Sequence, residues 1–271
     1  MEIGGNNISS FSPEEHHLSI ELSSERISYS LLNTNNLEYV YFKSISATEN
    51  NSIVNIISSE EVLKQEYSSS SISYKDFPST LIPNELYKKE EKSKYLKFVT
   101  DNLESVETDV IHQIDSTIIY SVGTDIKNVI NQIQPKISEK NSTNVSICQL
   151  IKQYGNKKEK IAFIFVDKNS VELIVLEKGT LIFQNYFTVS SSTDILYYTL
   201  FCFDQLNLDT NKNELFVFGE ISKGDENYSL LYDYIRNIKF GEISSSLSFT
   251  EELKTLSNHK YFTLYSQLLC V

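Results

Sequence analysis

The most regular stretch of the chain runs from Ile161 to Val189. Ile161 to Val166 is an unbroken apolar run, the pattern of a strand buried on both faces, and Asp167-Lys168-Asn169-Ser170 supplies turn chemistry after it. Val171, Leu173 and Val175 then alternate with other residues. Lys178-Gly179 offers a two-residue turn in which glycine can take a positive φ, and Leu181, Phe183 and Phe187 resume the period of two. The pattern predicts three antiparallel strands. Ser191-Ser192-Thr193-Asp194 fits a helix capping box, and Ile195, Leu196, Leu200, Phe203 and Leu206 recur at helical spacing. Tyr197, Tyr198, Phe201 and Cys202 make the opposite side apolar too, so this helix is expected to be buried nearly all round.

The same pattern occurs near the amino end. Leu18, Ile20 and Leu22 alternate, Ser23-Ser24-Glu25-Arg26 is a turn, Ile27, Tyr29 and Leu31 follow, and Asn33-Thr34-Asn35-Asn36 is the next turn. Laid together without a gap, the two meanders place Ser23 on Asp167, Leu31 on Val175, Asn35 on Gly179, Leu37 on Leu181 and Tyr39 on Phe183, a constant offset (167 − 23 = 144). Residue identity is almost absent, so the repeat is one of pattern and turn position.

Between the meanders, Ser59 to Glu66 reads as a short capped helix and Tyr67 to Tyr74 as a serine-rich connection or edge strand. The prolines of Phe77-Pro78-Ser79-Thr80-Leu81-Ile82-Pro83 require extended backbone, and Asn84 is read as the cap of a helix reaching about Phe98. Val106 to Gln113 and Thr117 to Val122 predict strands. Helices are predicted from Thr124 to Pro135 and from Thr143 to Tyr154, the latter ending on Gly155 as a left-handed cap. Asn156-Lys157-Lys158-Glu159-Lys160 is taken as the boundary, giving residues 1–155, with a loose tail over 1–15, and residues 156–271. Leu215 to Phe218 predicts a strand, Tyr228 to Ile238 a helix, and His259 to Leu269 a terminal helix.

A length of 271 residues with 40% apolar and 22% charged positions describes an ordinary globular chain that can bury a core. The net charge of −12 opposes nucleic-acid or anionic-membrane binding, and no clustered Lys/Arg stripe offsets it. Ile195 to Phe203 is the longest nearly unbroken apolar run, about half of a bilayer span. The first residues lack the basic start and apolar core of a secretory signal. Cys148, Cys202 and Cys270 are odd in number and widely spaced, which points to structural thiols in a reducing compartment, the cytoplasm.

Two three-stranded meanders, each followed by helices and further strands, resemble the duplicated ribonuclease-H-like halves of the actin-like ATPases. The whole chain more closely resembles an uncharacterised bacterial family of that fold, DUF3822. This likeness is carried by LSIELSSERISYSLL at Leu18 to Leu32, FPSTLIPNELY at Phe77 to Tyr87, the central meander, and Tyr261-Phe262-Thr263-Leu264 with the near-terminal Cys270. The resemblance implies an α+β or α/β actin-like fold and, in active members, Mg-ATP held between two hairpin turns. Each such turn carries an Asp for the metal or water, and glycines whose N–H groups approach phosphate unobstructed. Here that equipment is reduced. The first turn has Ser23 and Ser24 but no glycine, with Glu21 as its carboxylate candidate. The second keeps Asp167, but Lys168, Asn169 and Ser170 replace the glycines; Gly219 stands alone for the adenosine-side pair, with Gly224 too far on.

No other residues assemble into a chemical motif. His16, His17, His112 and His259 have no metal-ligand spacing, and no Gly-x-Ser-x-Gly or Walker pattern occurs. The expectation is a scaffold without ATPase activity, without metal or cofactor, that binds another protein or assembles with itself. The alternative is a divergent ATPase or sugar-kinase-like phosphotransferase using Asp167 and Glu21 around Mg-ATP.

Overall fold

The computed structural model describes residues 1–4 and 11–270. Two compact units form: Met1–Cys148 with Ser245–Thr255 and Thr263–Val271, and Gln149–Ser244 with Leu256–Phe262. A division by sequence order at residues 155 and 156 does not follow these units, because two carboxy-terminal segments return to the first.

In chain order the first unit contributes β1 (Glu2–Ile3), β2 (His16–Leu22), β3 (Arg26–Asn33), β4 (Glu38–Ser46), α1 (Ile53–Ser59), β5 (Ser69–Tyr74) and β6 (Ser79–Pro83). There follow α2 (Lys92–Leu96), β7 (Ser105–Ile111), β8 (Ser116–Val122), α3 (Thr124–Ile133), β9 (Ser138–Asn141) and α4 (Ser142–Tyr154), which spans the boundary. The second unit holds β10 (Lys160–Val166), β11 (Ser170–Glu177), β12 (Thr180–Thr188), α5 (Ser192–Gln205), β13 (Glu214–Gly219), α6 (Glu226–Tyr234) and β14 (Asn237–Phe240). Finally β15 (Ser248–Phe249) and most of α7 (Phe262–Ser266) belong to the first unit.

The main sheets have one topology. The first runs β4-β3-β2-β5-β9, with β1 and β15 added outside β4, and the second runs β12-β11-β10-β13-β14. In each, three antiparallel strands of a meander are followed by one parallel strand added to the first of them and a second parallel strand added beyond that. This is the order expected of ribonuclease-H-like halves. A three-stranded antiparallel sheet, β6-β8-β7, is inserted between β5 and β9.

The repeat extends to backbone detail. Ser23 N donates to Arg26 O at 2.9 Å and Asp167 N to Ser170 O at 2.9 Å, so the first turns superpose in hydrogen-bond frame. A bulge falls between Leu31 and Leu32 in one sheet and between Val175 and Leu176 in the other, at the same offset (175 − 31 = 144). Beyond the second turn the offset drops. Tyr41 lies opposite Leu31 and Phe183 opposite Val175, a difference of two residues fewer (183 − 41 = 142), so Tyr39 corresponds to Leu181 rather than to Phe183. The cause is turn length: Lys178 and Gly179, at φ 51° and 77°, suffice in one meander, where residues 34–37 are needed in the other.

The apolar run of β10 is buried on both faces, as its pattern predicts. Ala162, Ile164 and Val166 join α5 and Leu231 of α6 in one core, while on the other face Phe163 meets Tyr154 and Phe165 meets Phe262. The capping box of α5 is present, with Ser191 accepting from Asp194 N. Bonds from Ser190 and Ser191 hold the Asp194 carboxyl below the usual range. The helix is not buried all round: Tyr197 is 60% and Phe201 47% exposed.

Several other expectations shift. The tail is not loose at its start, since β1 pairs with β4 and the Met1 amine donates to Ser44 O at 2.7 Å; residues 5–10 lie outside the described ones. The helix expected at Ser59 to Glu66 is a single 3-10 turn, Glu61–Lys64, and it follows an unpredicted α-helix, Ile53–Ser59, in which Ser52 caps Asn55 N while Ile53, Ile56 and Ile57 turn inward. β5 is no edge strand: it lies between β2 and β9. Asn84 caps no helix, because its side chain bonds Asp115 and Thr117 instead, and only α2 remains of the long helix. Gly155 is not left-handed; a side chain there would meet Ile151 O at 2.5 Å. α6 stops at Tyr234 and β14 replaces its predicted end, while the terminal helix breaks into 3-10 turns around α7.

Candidate functional site

The residues singled out for phosphate chemistry gather at one end of each sheet. In the first unit, Glu21 lies on β2 in register with Ser28 and Ser73, and is buried. The turn beyond it is closed on itself. Ser23 Oγ accepts from Glu25 N at 3.3 Å and from Arg26 N at 3.1 Å, and donates to Arg26 O at 3.3 Å. Backbone N–H groups are what such a turn would offer a phosphate, and here a side chain takes two of them. Ser24 is exposed beside them.

In the second unit, Asp167 and Gly219 end adjacent parallel strands, with Val166 in register with Gly219. Asp167 Oδ1 accepts from the next amide, Lys168 N, at 2.7 Å, the local bond that makes Asp common in turns. Asn169 is exposed, and its carbonyl accepts from Val189 N at 3.0 Å.

Gly219 answers a backbone constraint. Its φ is +84°, and an added Cβ would lie 2.1 Å from Val166 O. The next amide, Glu220 N, donates to that carbonyl at 2.7 Å, and Lys75 N makes the equivalent bond to Leu22 O at 2.8 Å in the first unit. Past Gly219, Glu220 forms an ion pair with Lys260, and His259 Nε2 donates to Ile221 O at 2.7 Å while its ring meets Phe240. Burial lowers the His259 pKa.

At the opposite end of the same strands lies a basin of about 300 Å³, lined in part by Lys160, Lys212, Glu214 and Lys239. Its cations are already engaged: Lys160 with Leu206 O, Lys212 with Asp209, Lys239 with Glu214. Burial would raise the Glu214 pKa, but bonds from Lys157 and Lys239 outweigh it and hold the carboxyl low.

Sequence reasoning gave His17 no role, yet it organises the polar interior of the first unit. The ring is fully buried, with Nδ1 2.7 Å from Ser69 Oγ and Nε2 2.9 Å from Ser71 Oγ. Ser71 Oγ donates to Gln267 Oε1 at 2.8 Å, and Gln267 Nε2 donates to Ile20 O at 2.7 Å and Ser73 Oγ at 2.9 Å. Only the parallel register of β2 with β5 brings His17 beside Ser69, and no local spacing signals it. None of the three cysteines is in a disulfide. A hydrogen bond with Cys270, and burial, push the Cys148 thiol up, and burial pushes Cys202 up to about 11, so both are poor nucleophiles.

The chain belongs to a family described as protein of unknown function (DUF3822), whose family model matches residues 6–238. A solved structure from Bacteroides thetaiotaomicron VPI-5482, described as a protein with actin-like ATPase fold and unknown function, matches at a TM-score of 0.77 and 20% identity. That match covers 84% of this chain and 91% of that one. The PilM-PilN type IV pilus biogenesis complex matches at a TM-score of 0.63 and 8% identity, covering 95% of this chain and 99% of that one. At such identities the likeness establishes the actin-like ATPase fold and nothing finer. No curated protein matches. Among the described residues no helix is long and apolar enough to cross a membrane.

Proposed function

We propose that this member of the DUF3822 family is a cytoplasmic actin-fold scaffold that no longer binds nucleotide and acts by holding another protein or assembling with itself. The observation that carries the reading is the first turn, where Ser23 Oγ occupies the amides of Glu25 and Arg26. Three further features support it. Glu21 is buried rather than presented, Asp167 caps its own neighbour, and Gly219 is explained by the Val166 carbonyl without any ligand. A solved structure of the same fold is itself a complex of two pilus-biogenesis proteins, an example of the fold holding a protein partner. Three cysteines outside any disulfide suit a reducing compartment.

Thermal melting with and without millimolar Mg-ATP tests the reading. A binder saturated a hundredfold above its Kd would gain about 2.7 kcal/mol, on the order of 5–10 °C in Tm for a chain of this size. The expected shift is less than ~1 °C, since weak binding leaves the linkage logarithm near zero. A rise of several degrees that Asp167→Ala abolishes in a still-folded protein would overturn the reading and favour the alternative, a Mg-ATP enzyme using Asp167 and Glu21.

A further inference from the structure

Within the first unit, the carboxy-terminal segment lies along the start of α4. Ser146 Oγ and Thr263 Oγ1 are 3.5 Å apart, and the 3-10 turn Gln267–Cys270 places Cys270 Sγ 3.8 Å from the carbonyl oxygen of Val145. Cys148 follows Val145 by one turn of the helix, and its side chain leans back over that turn, as helical side chains do. Its Sγ is 3.0 Å from Asn144 Oδ1. Both sulfurs therefore lie over the turn from Asn144 to Cys148, and the two thiols are joined by a hydrogen bond. Their surroundings differ. Cys148 is 6% exposed, with Gln113 Oε1 as a further neighbour at 3.2 Å, whereas Cys270 is only partly buried.

We propose that Cys148 and Cys270 are a peroxide-responsive pair, in which Cys270 takes the oxidant and Cys148 closes a reversible disulfide onto it. Access sets the order, since the half-buried sulfur meets a solvent oxidant first and the buried one can react only with what lies beside it. Cys270 Sγ, as thiolate, attacks one oxygen of hydrogen peroxide. An S–O bond forms as the O–O bond breaks, and the departing hydroxide takes up the proton that Cys270 released, as water. Cys148 Sγ then attacks Cys270 Sγ. The S–S bond forms as the S–O bond breaks, and the hydroxyl leaves with the Cys148 proton as a second water. The two thiols lose two electrons and the peroxide gains them. The hydrogen bond to Cys270 is the chief cause of the raised Cys148 pKa, ahead of burial, so oxidation of Cys270 eases ionisation of Cys148 when it must attack. In a reducing compartment such a bond is transient, in keeping with a dithiol resting state. It fastens the turn that carries Gln267, whose amide bonds Ile20, Ser71 and Ser73. Cys202 sits in the apolar core of the second unit and takes no part.

Hydrogen peroxide added to the folded 271-residue chain, followed by alkylation in denaturant and mass spectrometry, tests the pair. The untreated chain should take up three N-ethylmaleimide groups and the oxidised chain one, on Cys202, with the peptides of Cys148 and Cys270 joined. Dithiothreitol should restore all three. Cys148→Ser should stop at a Cys270 sulfenic acid that dimedone captures, and Cys270→Ser should keep its remaining thiols reduced. The wild-type peptide map decides the matter even where a variant does not fold. Three maleimides after peroxide, a bond through Cys202 or a bond between chains overturns the proposal. So does an equal yield of the joined peptides from chain oxidised in urea, where the fold no longer holds the sulfurs together, and dimedone captured by Cys148 in Cys270→Ser overturns the order of attack.

Discussion

The buried His17 makes a prediction that can be worked from geometry. Gln267 Nε2 donates to Ile20 O, which orients the amide so that Oε1 must accept from Ser71 Oγ. The one hydroxyl proton of Ser71 is thereby directed to Gln267, so His17 Nε2 donates to Ser71 and Nδ1 accepts from Ser69. This ring is neutral, and burial lowers its pKa to about 4. The unfolded chain, with an ordinary His pKa of about 6.5, takes up a proton first as the pH falls. The contribution is thus complete above pH 6.5 and is lost as the pH drops from there toward 4. Linkage gives a loss of roughly 2 kcal/mol between pH 7.5 and pH 5, and a limit of about 3 kcal/mol below pH 4. Urea denaturation of wild type and His17→Gln at both pH values isolates the term, because every other titrating group is common to the two proteins. The variant is expected to be less stable at pH 7.5 but to lose about 2 kcal/mol less on acidification. Equal pH dependence in the two proteins, or a His17 titration near pH 6.5 by NMR, would refute the reasoning.

Two further predictions concern the turns. Asp167→Asn keeps an oxygen for Lys168 N, so the urea midpoint should move by no more than the ~1 kcal/mol of a turn hydrogen bond, and the variant should complement a deletion in its native cells. Gly219→Ala, with a Cβ 2.1 Å from Val166 O at φ +84°, should cost roughly 3 kcal/mol. Gly224→Ala, at φ +93° with open space around it, should show only the backbone part, about 1 kcal/mol, in the same denaturation assay.

What was legible in the sequence divides along a physical line. The meander β10 to β12 and helix α5 could be read because local chemistry and tertiary position agree there: Lys178 and Gly179 do take positive φ, and Ser191 and Asp194 do cap each other. β5, β9 and β14 have no comparable signature. Ser69-Ser70-Ser71-Ile72-Ser73-Tyr74 resembles a linker, and becomes an inner strand because β2 and β9 flank it and its serines bond His17 and Gln267 from other parts of the chain. Asn84 failed as a helix cap for the complementary reason, since Asp115 and Thr117 outcompeted the helix for its amide.

The turns themselves argue that fold and chemistry are separable in this chain. Ser23 and Asp167 close their hairpins through the same backbone bond, at 2.9 Å in each, without any glycine between the strands. Glycine is therefore not needed to make these turns; its use in a phosphate site is to leave amides bare. In this chain the amides of Glu25 and Arg26 are turned onto Ser23, and that of Lys168 onto Asp167, so each turn satisfies itself where a nucleotide turn waits for its ligand. The same scaffold persists through strand order, bulge position and the paired bonds of Lys75 to Leu22 and Glu220 to Val166. What distinguishes the two sheets is instead an edge: β1 and β15 pair with the outer side of β4, whereas among the described residues no strand pairs with the outer side of β12.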